Sequence, residues 1–227
     1  MPEKVGVVGL GLMGSVLASK LIAAGYEVHG CDIDDARVEA LKAGGGIPAS
    51  TPSEAAKEAS FVVLSLLNSD IVKEVCFGQD GIVQSAREGL IVIDTTTARP
   101  EDSIETAEKL RELGVSFLDT SLSGSRDNIV ALAGGDEGAL DKARPVIDTF
   151  ARSCHYMGES GKGARTKLIV NLISGLNRLV MAEGLVFGMK AGMDMESLLE
   201  VLMDTAAYSK AMASRGKRMI DADYENP

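Results

Sequence analysis

Three features of this chain combine a chemically useful residue type with a meaningful spacing: the run Gly9-Leu10-Gly11-Leu12-Met13-Gly14, the acid Asp32, and Lys167 at the head of an apolar stretch. A GxGxxG alone is weak evidence. Here it follows a strand pattern, KVGVV, and opens an amphipathic helix pattern, which is the context a dinucleotide requires. Gly9 permits the tight turn, Gly11 lets a pyrophosphate approach the backbone, and Gly14 lets helix and strand pack closely. The helix N-terminus adds unpaired N–H groups and a positive dipole end. Asp32 lies eighteen residues past Gly14 in VHGCDIDD, near the distance at which a carboxylate accepts the ribose hydroxyls of an adenosine. Asp34 and Asp35 add negative charge, and Ile33 sits where a 2′-phosphate binder often carries Arg. The pattern therefore favours NAD over NADP, with Arg37 as the residue that works against that preference. The competing reading is a glycine turn without a ligand, or with another nucleotide.

Lys167 opens LIVNLISG, part of GKGARTKLIVNLISG at 161–175. Taken as helical, it shares a face with Asn171, Ser174 and Arg178 at offsets of 4, 7 and 11. Most other positions are Leu, Ile, Val, Met, Ala or Gly. A narrow polar stripe on an otherwise apolar helix predicts a buried helix lining a cleft, and a buried Asn171 would need partners. A solvated lysine near a helix start is the commoner fate of this residue type. Sequence physics leaves the two readings open.

Further polar residues fall where an open parallel sheet gathers ligands, outside the carboxyl ends of its strands. Leu66-Leu67-Asn68, Asp94-Thr95-Thr96-Thr97 and Asp119-Thr120-Ser121-Leu122-Ser123-Gly124-Ser125 each follow or end an apolar run. Thr95 and Thr96 suit capping or turn roles as well as contact. No helix obviously follows Ser123-Gly124, which favours a binding role there.

The elements that must position these residues are readable from periodicity. Strand patterns cover Lys4–Val8, Glu27–Cys31, Phe61–Leu66, Leu90–Asp94 and Ser116–Asp119, with weaker ones at Ile129–Ala133 and His155–Met157. Helix patterns lie near 13–24, 35–42, 53–58, 70–76, 100–113 and 138–149. This alternation predicts an α/β fold with a parallel sheet covered on both faces. Beyond Gly163 strand patterns end, and three helices are expected at about 164–191, 195–204 and 207–222. The division expected is 1–163 for the sheet domain and 164–227 for a helical one.

Composition narrows the class. A net charge of −10 with no basic block argues against nucleic acid or an anionic membrane as partner. Cys31, Cys76 and Cys154 are scattered and odd in number, and His29 and His155 are the only histidines, so neither a disulfide framework nor a zinc site is expected. Lone thiols fit a reducing, cytoplasmic compartment. Two apolar runs need checking. Residues 5–18 resemble a signal-peptide core, but regular glycines and Glu3 argue otherwise. Leu168–Gly188 is long enough for a membrane span, but Asn171, Asn177, Arg178 and Glu183 interrupt it.

Taken together, GLGLMG at 9–14, IDTTTARP at 93–100, FLDTSLSGS at 117–125, GKGARTKLIVN at 161–171 and the closing RMIDADYENP resemble the β-hydroxyacid dehydrogenase family, which includes 3-hydroxyisobutyrate dehydrogenase and tartronate semialdehyde reductase. The resemblance implies a Rossmann-type doubly wound domain, a long interdomain helix and an all-α domain, usually in a dimer or tetramer. It implies that Lys167 is catalytic, that Ser123, Gly124 and Asn171 meet the substrate, and that Leu66, Leu67 and Thr97 line the cofactor beside Gly9–Gly14, Asp32 and Ile33. The activity implied is hydride transfer between NAD and a small 3-hydroxy acid. Alternatives are an NADPH-dependent semialdehyde or glyoxylate-type reductase of the same family, or a catalytically inactive NAD-binding protein.

The chain departs from the family in three respects. DTSLSGS stands for D-x-P-V-S-G-G, so Ser121 replaces proline and Ser125 the last glycine, and the stretch from Ser123 to Gly135 is about five residues shorter than usual. Val170 replaces the first of two asparagines. Family members carry further helices and another cofactor-side lysine beyond this point. Segment 164–227 is therefore expected to be too small to bury both its faces alone and to pack on another subunit.

Overall fold

In a computed structural model, which describes residues 2–223, the apolar runs alternate with helices as the periodicity predicts. The order is β1 (Lys4–Val8), α1 (Gly14–Ala23), β2 (Glu27–Cys31), α2 (Asp35–Ala43), β3 (Ile47–Pro48), α3 (Pro52–Ala56), β4 (Phe61–Leu64), α4 (Ser69–Phe77), β5 (Ile91–Asp94) and α5 (Pro100–Arg111). Then come β6 (Ser116–Ser125), β7 (Asn128–Gly134), α6 (Glu137–Phe150), β8 (Ser153–Tyr156), α7 (Lys162–Lys190), α8 (Met195–Asp204) and α9 (Lys210–Ile220).

The eight strands form one sheet in the order β3-β2-β1-β4-β5-β6-β7-β8. Chain order reverses between β1 and β4, which makes that gap the topological switch point. Strand alternation sends residues to two separate cores. Val5, Val7, Phe61, Val63, Ile91 and Ile93 join the one that includes Leu17 and Leu21 of α1 and Leu140 and Ile147 of α6. Val8, Val62, Leu64 and Val92 join the other, with Val72 and Cys76 of α4 and Leu110 of α5. The sheet is thus buried on both faces, as continuous apolar strands require.

Two features of the sheet differ from the expectation. β3 is a two-residue strand pairing His29 with Ile47 and Gly30 with Pro48, too short to leave a periodic pattern. The sheet is also not wholly parallel, because β6 and β7 form an antiparallel hairpin, with Asp119 opposite Gly134 and Ser123 opposite Val130. The hydroxyl-rich run DTSLSGS is therefore strand throughout rather than loop. Its alternating polar residues pair through backbone groups that composition does not reveal.

Contacts divide the chain into two units, Met1–Lys167 and Leu168–Pro227. In the second unit, Met181 and Leu185 of α7 bury against Leu199 of α8 and Met212 of α9. α8 is capped by Asp194, whose carboxylate accepts the Ser197 N–H. The rest of α7 overturns the expectation of a buried helix. Leu168, Ile169, Leu172, Ile173, Leu176, Leu179 and Val180 are each about half exposed or more. At about 100° per residue they occupy an arc of about 140°, away from the stripe of Lys167, Asn171, Ser174 and Arg178. Asn171 itself is exposed. By length and composition α7 also passes for a membrane-crossing helix. Arg218 and Met219 of the closing motif lie on α9, whereas its Tyr224 falls outside the described residues.

Candidate active site

The loop after β1 is held by contacts only glycine allows. Gly9 has φ +89°, and a Cβ on Gly14 would stand 1.8 Å from the Gly9 carbonyl oxygen. Gly11 differs: the nearest atom to a Cβ there would be Arg37 Nη1 at 3.7 Å, so its open side faces space. That space belongs to a cavity of about 770 Å³ along the carboxyl ends of β1, β2, β4 and β5. The N-terminus of α1 points there without a side-chain cap or an acidic residue in its first turn, whereas α2, α3 and α4 are capped by Asp34, Thr51 and Asn68. A cradle with room beside Gly11, unpartnered helix N–H groups and an acid at the end of β2 fits a dinucleotide.

Of the predicted cofactor residues, Gly9, Gly11, Leu12, Met13, Asp32, Ile33, Leu66, Leu67 and Thr97 line this cavity. Leu10 and Gly14 do not, and each has a structural role. Gly14 provides the close packing just described. The Leu10 N–H donates to Asp32 Oδ2 at 2.6 Å, while the Asp34 N–H donates to Asp32 Oδ1 at 3.0 Å. Asp32 thus braces the glycine loop, a role that its spacing from Gly14 does not reveal. Arg37 Nη1 lies 3.4 Å from Asp32 Oδ1, and its Nε lies 3.2 Å from Asp34 Oδ2, so its charge is shared between two carboxylates.

The far wall is built from strand ends. β4 stops at Leu64, two residues earlier than expected, and the Leu66 N–H beyond it goes to a side chain instead of a ladder carbonyl. Thr95 donates through its hydroxyl to the Leu64 carbonyl at 2.7 Å, and Thr96 Oγ1 accepts the Leu66 N–H at 3.1 Å. Ser121, at the family's proline position, donates to the Thr96 carbonyl at 3.2 Å. These hydroxyls tie the ends of three strands together and cap no helix, the next one, α5, having Arg99 at its N-cap; Thr95 and Thr96 also line the cavity. Sequence reading missed Ile71 and Val75, one turn apart on α4, which add apolar wall. Their i, i+4 spacing was the available signal.

Ser123 and Gly124 lie in the β6–β7 hairpin, half-buried and exposed respectively, and neither lines the cavity; the neighbouring Leu122 does. Lys167 also lies off the cavity wall. It is half-buried, and desolvation pushes its amine below the ordinary lysine range. Asn171 belongs to the second unit.

Two buried carboxylates stand side by side where β5 ends and β6 leaves its parallel pairing, with Asp94 opposite Asp119 in the ladder. Asp94 is 1% exposed and accepts the Thr96 N–H at 3.0 Å, but its Oδ2 has no partner. Burial pushes Asp94 up to about 7. Burial raises Asp119 too, against backbone N–H groups that pull it down.

Comparison with known proteins agrees with this arrangement. Residues 4–158 match the family described as the NAD binding domain of 6-phosphogluconate dehydrogenase, and residues 161–227 match the NAD-binding segment of NADP-dependent 3-hydroxyisobutyrate dehydrogenase. An L-threonate dehydrogenase from Haemophilus influenzae is 30% identical over 97% of this chain and 75% of its own length. A 2-hydroxy-3-oxopropionate reductase from Escherichia coli is 28% identical over 99% of this chain and 78% of its own. The 3-hydroxyisobutyrate dehydrogenase of Mycobacterium tuberculosis, solved with L-serine, superposes with a TM-score of 0.86 at 27% identity, covering 93% of this chain and 73% of that one. The chain belongs to the β-hydroxyacid dehydrogenase family of NAD(P)-dependent oxidoreductases.

Proposed function

We propose that this protein interconverts a small 3-hydroxy acid and the corresponding semialdehyde, as a 3-hydroxyisobutyrate dehydrogenase-like enzyme using NAD. The observation that carries the reading is Lys167: a half-buried amine whose lowered pKa has desolvation as its cause, on the helix that starts where β6 ends its parallel pairing. The nicotinamide, when bound, gives or takes the hydride. Gly9, Gly11 and the α1 N-terminus would hold its pyrophosphate, with Asp32 and Ile33 at the adenosine ribose and Leu66, Leu67 and Thr97 along the far wall. In the reduction direction the Lys167 ammonium donates a proton to the carbonyl oxygen as that oxygen becomes hydroxyl. In oxidation the neutral amine takes the hydroxyl proton, and desolvation makes that neutral form accessible. Ser123 and the Gly124 N–H hold the substrate carboxylate, and Asn171 steadies the reacting oxygen.

The second reading, an NADPH-dependent semialdehyde reductase, is favoured by Arg37 at the cavity rim. Against it stand Asp32 and Asp34, which already share that guanidinium. Absorbance at the reduced-nicotinamide band, across a panel of 3-hydroxy acids and semialdehydes with both cofactors, tests the assignment. Turnover with NADH surpassing that with NADPH supports it. Tight NADH binding with no turnover anywhere on the panel would leave only a nucleotide-binding protein.

The exposed arc of α7 supports a homo-oligomer. Seven half-exposed aliphatic side chains present apolar area on the order of several hundred Å², as much as the largest patch on a typical monomer. We assign that face to a second copy rather than to lipid, because Asn171, Arg178 and Glu183 on the same helix would be costly in a bilayer. The scattered free thiols fit a reducing cytoplasm.

A further inference from the structure

Asp119 has no part in the reaction as described, yet it is among the most constrained side chains in the first unit. It is 2% exposed, its Oδ1 accepts the Gly161 N–H at 2.8 Å, and its Oδ2 accepts the Ala164 N–H at 2.8 Å. Ala164 lies in the first turn of α7, where N–H groups have no intrahelical partner. Both carboxylate oxygens are therefore spent on the entrance to the helix that carries Lys167. The fit is close. A Cβ on Gly163 would stand 2.2 Å from the Asp119 carbonyl oxygen and 2.9 Å from Oδ2, and one on Gly134 would stand 2.7 Å from Oδ1. Nothing larger than glycine fits either position without a shift, of the Asp119 and Leu132 carbonyls beside Gly163 and of the Asp119 carboxylate and the neighbouring backbone beside Gly134.

Asp119 does not line the cofactor cavity. It stands on β6 four residues before Ser123, and Lys167 follows Ala164 by three residues, within one helical turn. One strand thus carries both the anchor of the lysine helix and the candidate carboxylate-binding residue. We propose that Asp119 is a positioning residue: its carboxylate clamps the first turn of α7 to β6 and so sets the place of the Lys167 amine relative to Ser123. The proposal rests on the reading of Lys167 as the proton-transfer group. The negative charge also suits the positive end of a 29-residue helix, which a neutral amide would not match.

The test uses the full chain with Asp119→Asn, which keeps the shape but removes the charge and turns one acceptor into a donor facing an N–H. Lysines are reductively methylated with ¹³C-formaldehyde, and the Lys167 signal, assigned by its loss in Lys167→Ala, is titrated by NMR. Turnover and NADH affinity are measured alongside. The expected result is a Lys167 titration moving up toward the ordinary lysine range, turnover falling about ten- to a hundredfold, and NADH affinity within about threefold of the parent. A Lys167 titration that stays in place overturns the proposal, whatever happens to turnover, because loss of fold alone lowers the active fraction without moving the titration of the molecules that remain. If the variant does not fold, hydrogen exchange on the unaltered protein decides. Slow exchange at Gly161 and Ala164 supports the clamp, and exchange at the rate of open chain overturns it. A Lys167 titration that moves in Asp119→Asn, combined with normal turnover in Lys167→Ala, would keep the clamp and discard the catalytic reading.

Discussion

The sheet unit buries two layers of side chains, one on each face of its central strands β1, β2, β4, β5 and β6, whereas the helical unit, among its described residues, buries only Met181, Leu185, Leu199 and Met212 as a core. Both are rich in apolar residues. The difference is where those residues point: strand alternation delivers them to helices of the same unit, while the α7 arc from Leu168 to Val180 meets solvent. A unit closed on itself can hold a cofactor cradle of fixed shape. A unit with a bare apolar arc gains by association. Three measurements test this difference between the units.

The largest effect is expected at Lys167, the last residue of the closed unit. Lys167→Ala should lower turnover by about two to four decades, the usual range for a general acid–base group, and leave NADH affinity intact because the cradle lies elsewhere. The pH dependence should follow from the lowered amine pKa. Oxidation needs the neutral amine, so its rate should rise with pH and level off below the ordinary lysine range. Near-normal turnover in the alanine variant would remove the chemistry from α7. The two units would then differ in packing only.

A smaller effect, confined to the other unit, is expected from Leu172→Glu combined with Leu176→Glu. Both side chains are more than half exposed, so the folded chain tolerates the charges, but an apposed apolar face does not. Light scattering should show the parent as an oligomer and the double variant shifted toward the 23.8 kDa of one chain, with NADH fluorescence titration unchanged. A parent already monodisperse as a monomer would mean that the bare arc is simply solvated.

The same contrast explains what was legible in the sequence. Gly9, Gly11, Gly14 and Asp32 could be read because their roles depend on local spacing, and the structure brings Gly9, Gly11 and Asp32 to one cavity. The strands feeding them were legible because burial on both faces leaves an unbroken apolar run. β3 was not, since two residues carry no period. The β6–β7 hairpin was hidden behind serines and glycine, residue types that usually mark loops, although its backbone pairs as strand. The role of Asp119 is illegible for another reason: a carboxylate bound by N–H groups more than forty residues away leaves no local trace. The burial of α7 was misjudged for a different reason. Apolar composition reports that a face avoids water, not whether its cover comes from the same chain.

The smallest effect is expected at Asp94, inside the sheet core. Burial raises its pKa from 3.8 to about 7, so across that window the folded protein holds a proton that the unfolded chain has released. The unfolded state then binds fewer protons, and stability falls as pH rises from about 4 to about 7, flattening above. Asp94→Asn removes the titration while keeping an oxygen for the Thr96 N–H. Its advantage over the parent should be near zero at the low end and grow to about 2 kcal/mol at and above neutrality, discounting the full shift for relaxation around the buried group. Melting temperature followed against pH for both proteins reads this directly. Charges in the helical unit, such as Lys217 between Glu196 and Asp221, are exposed and should contribute little to the slope. Two parallel melting curves would place the pH sensitivity outside the sheet core and erase that side of the contrast between the units.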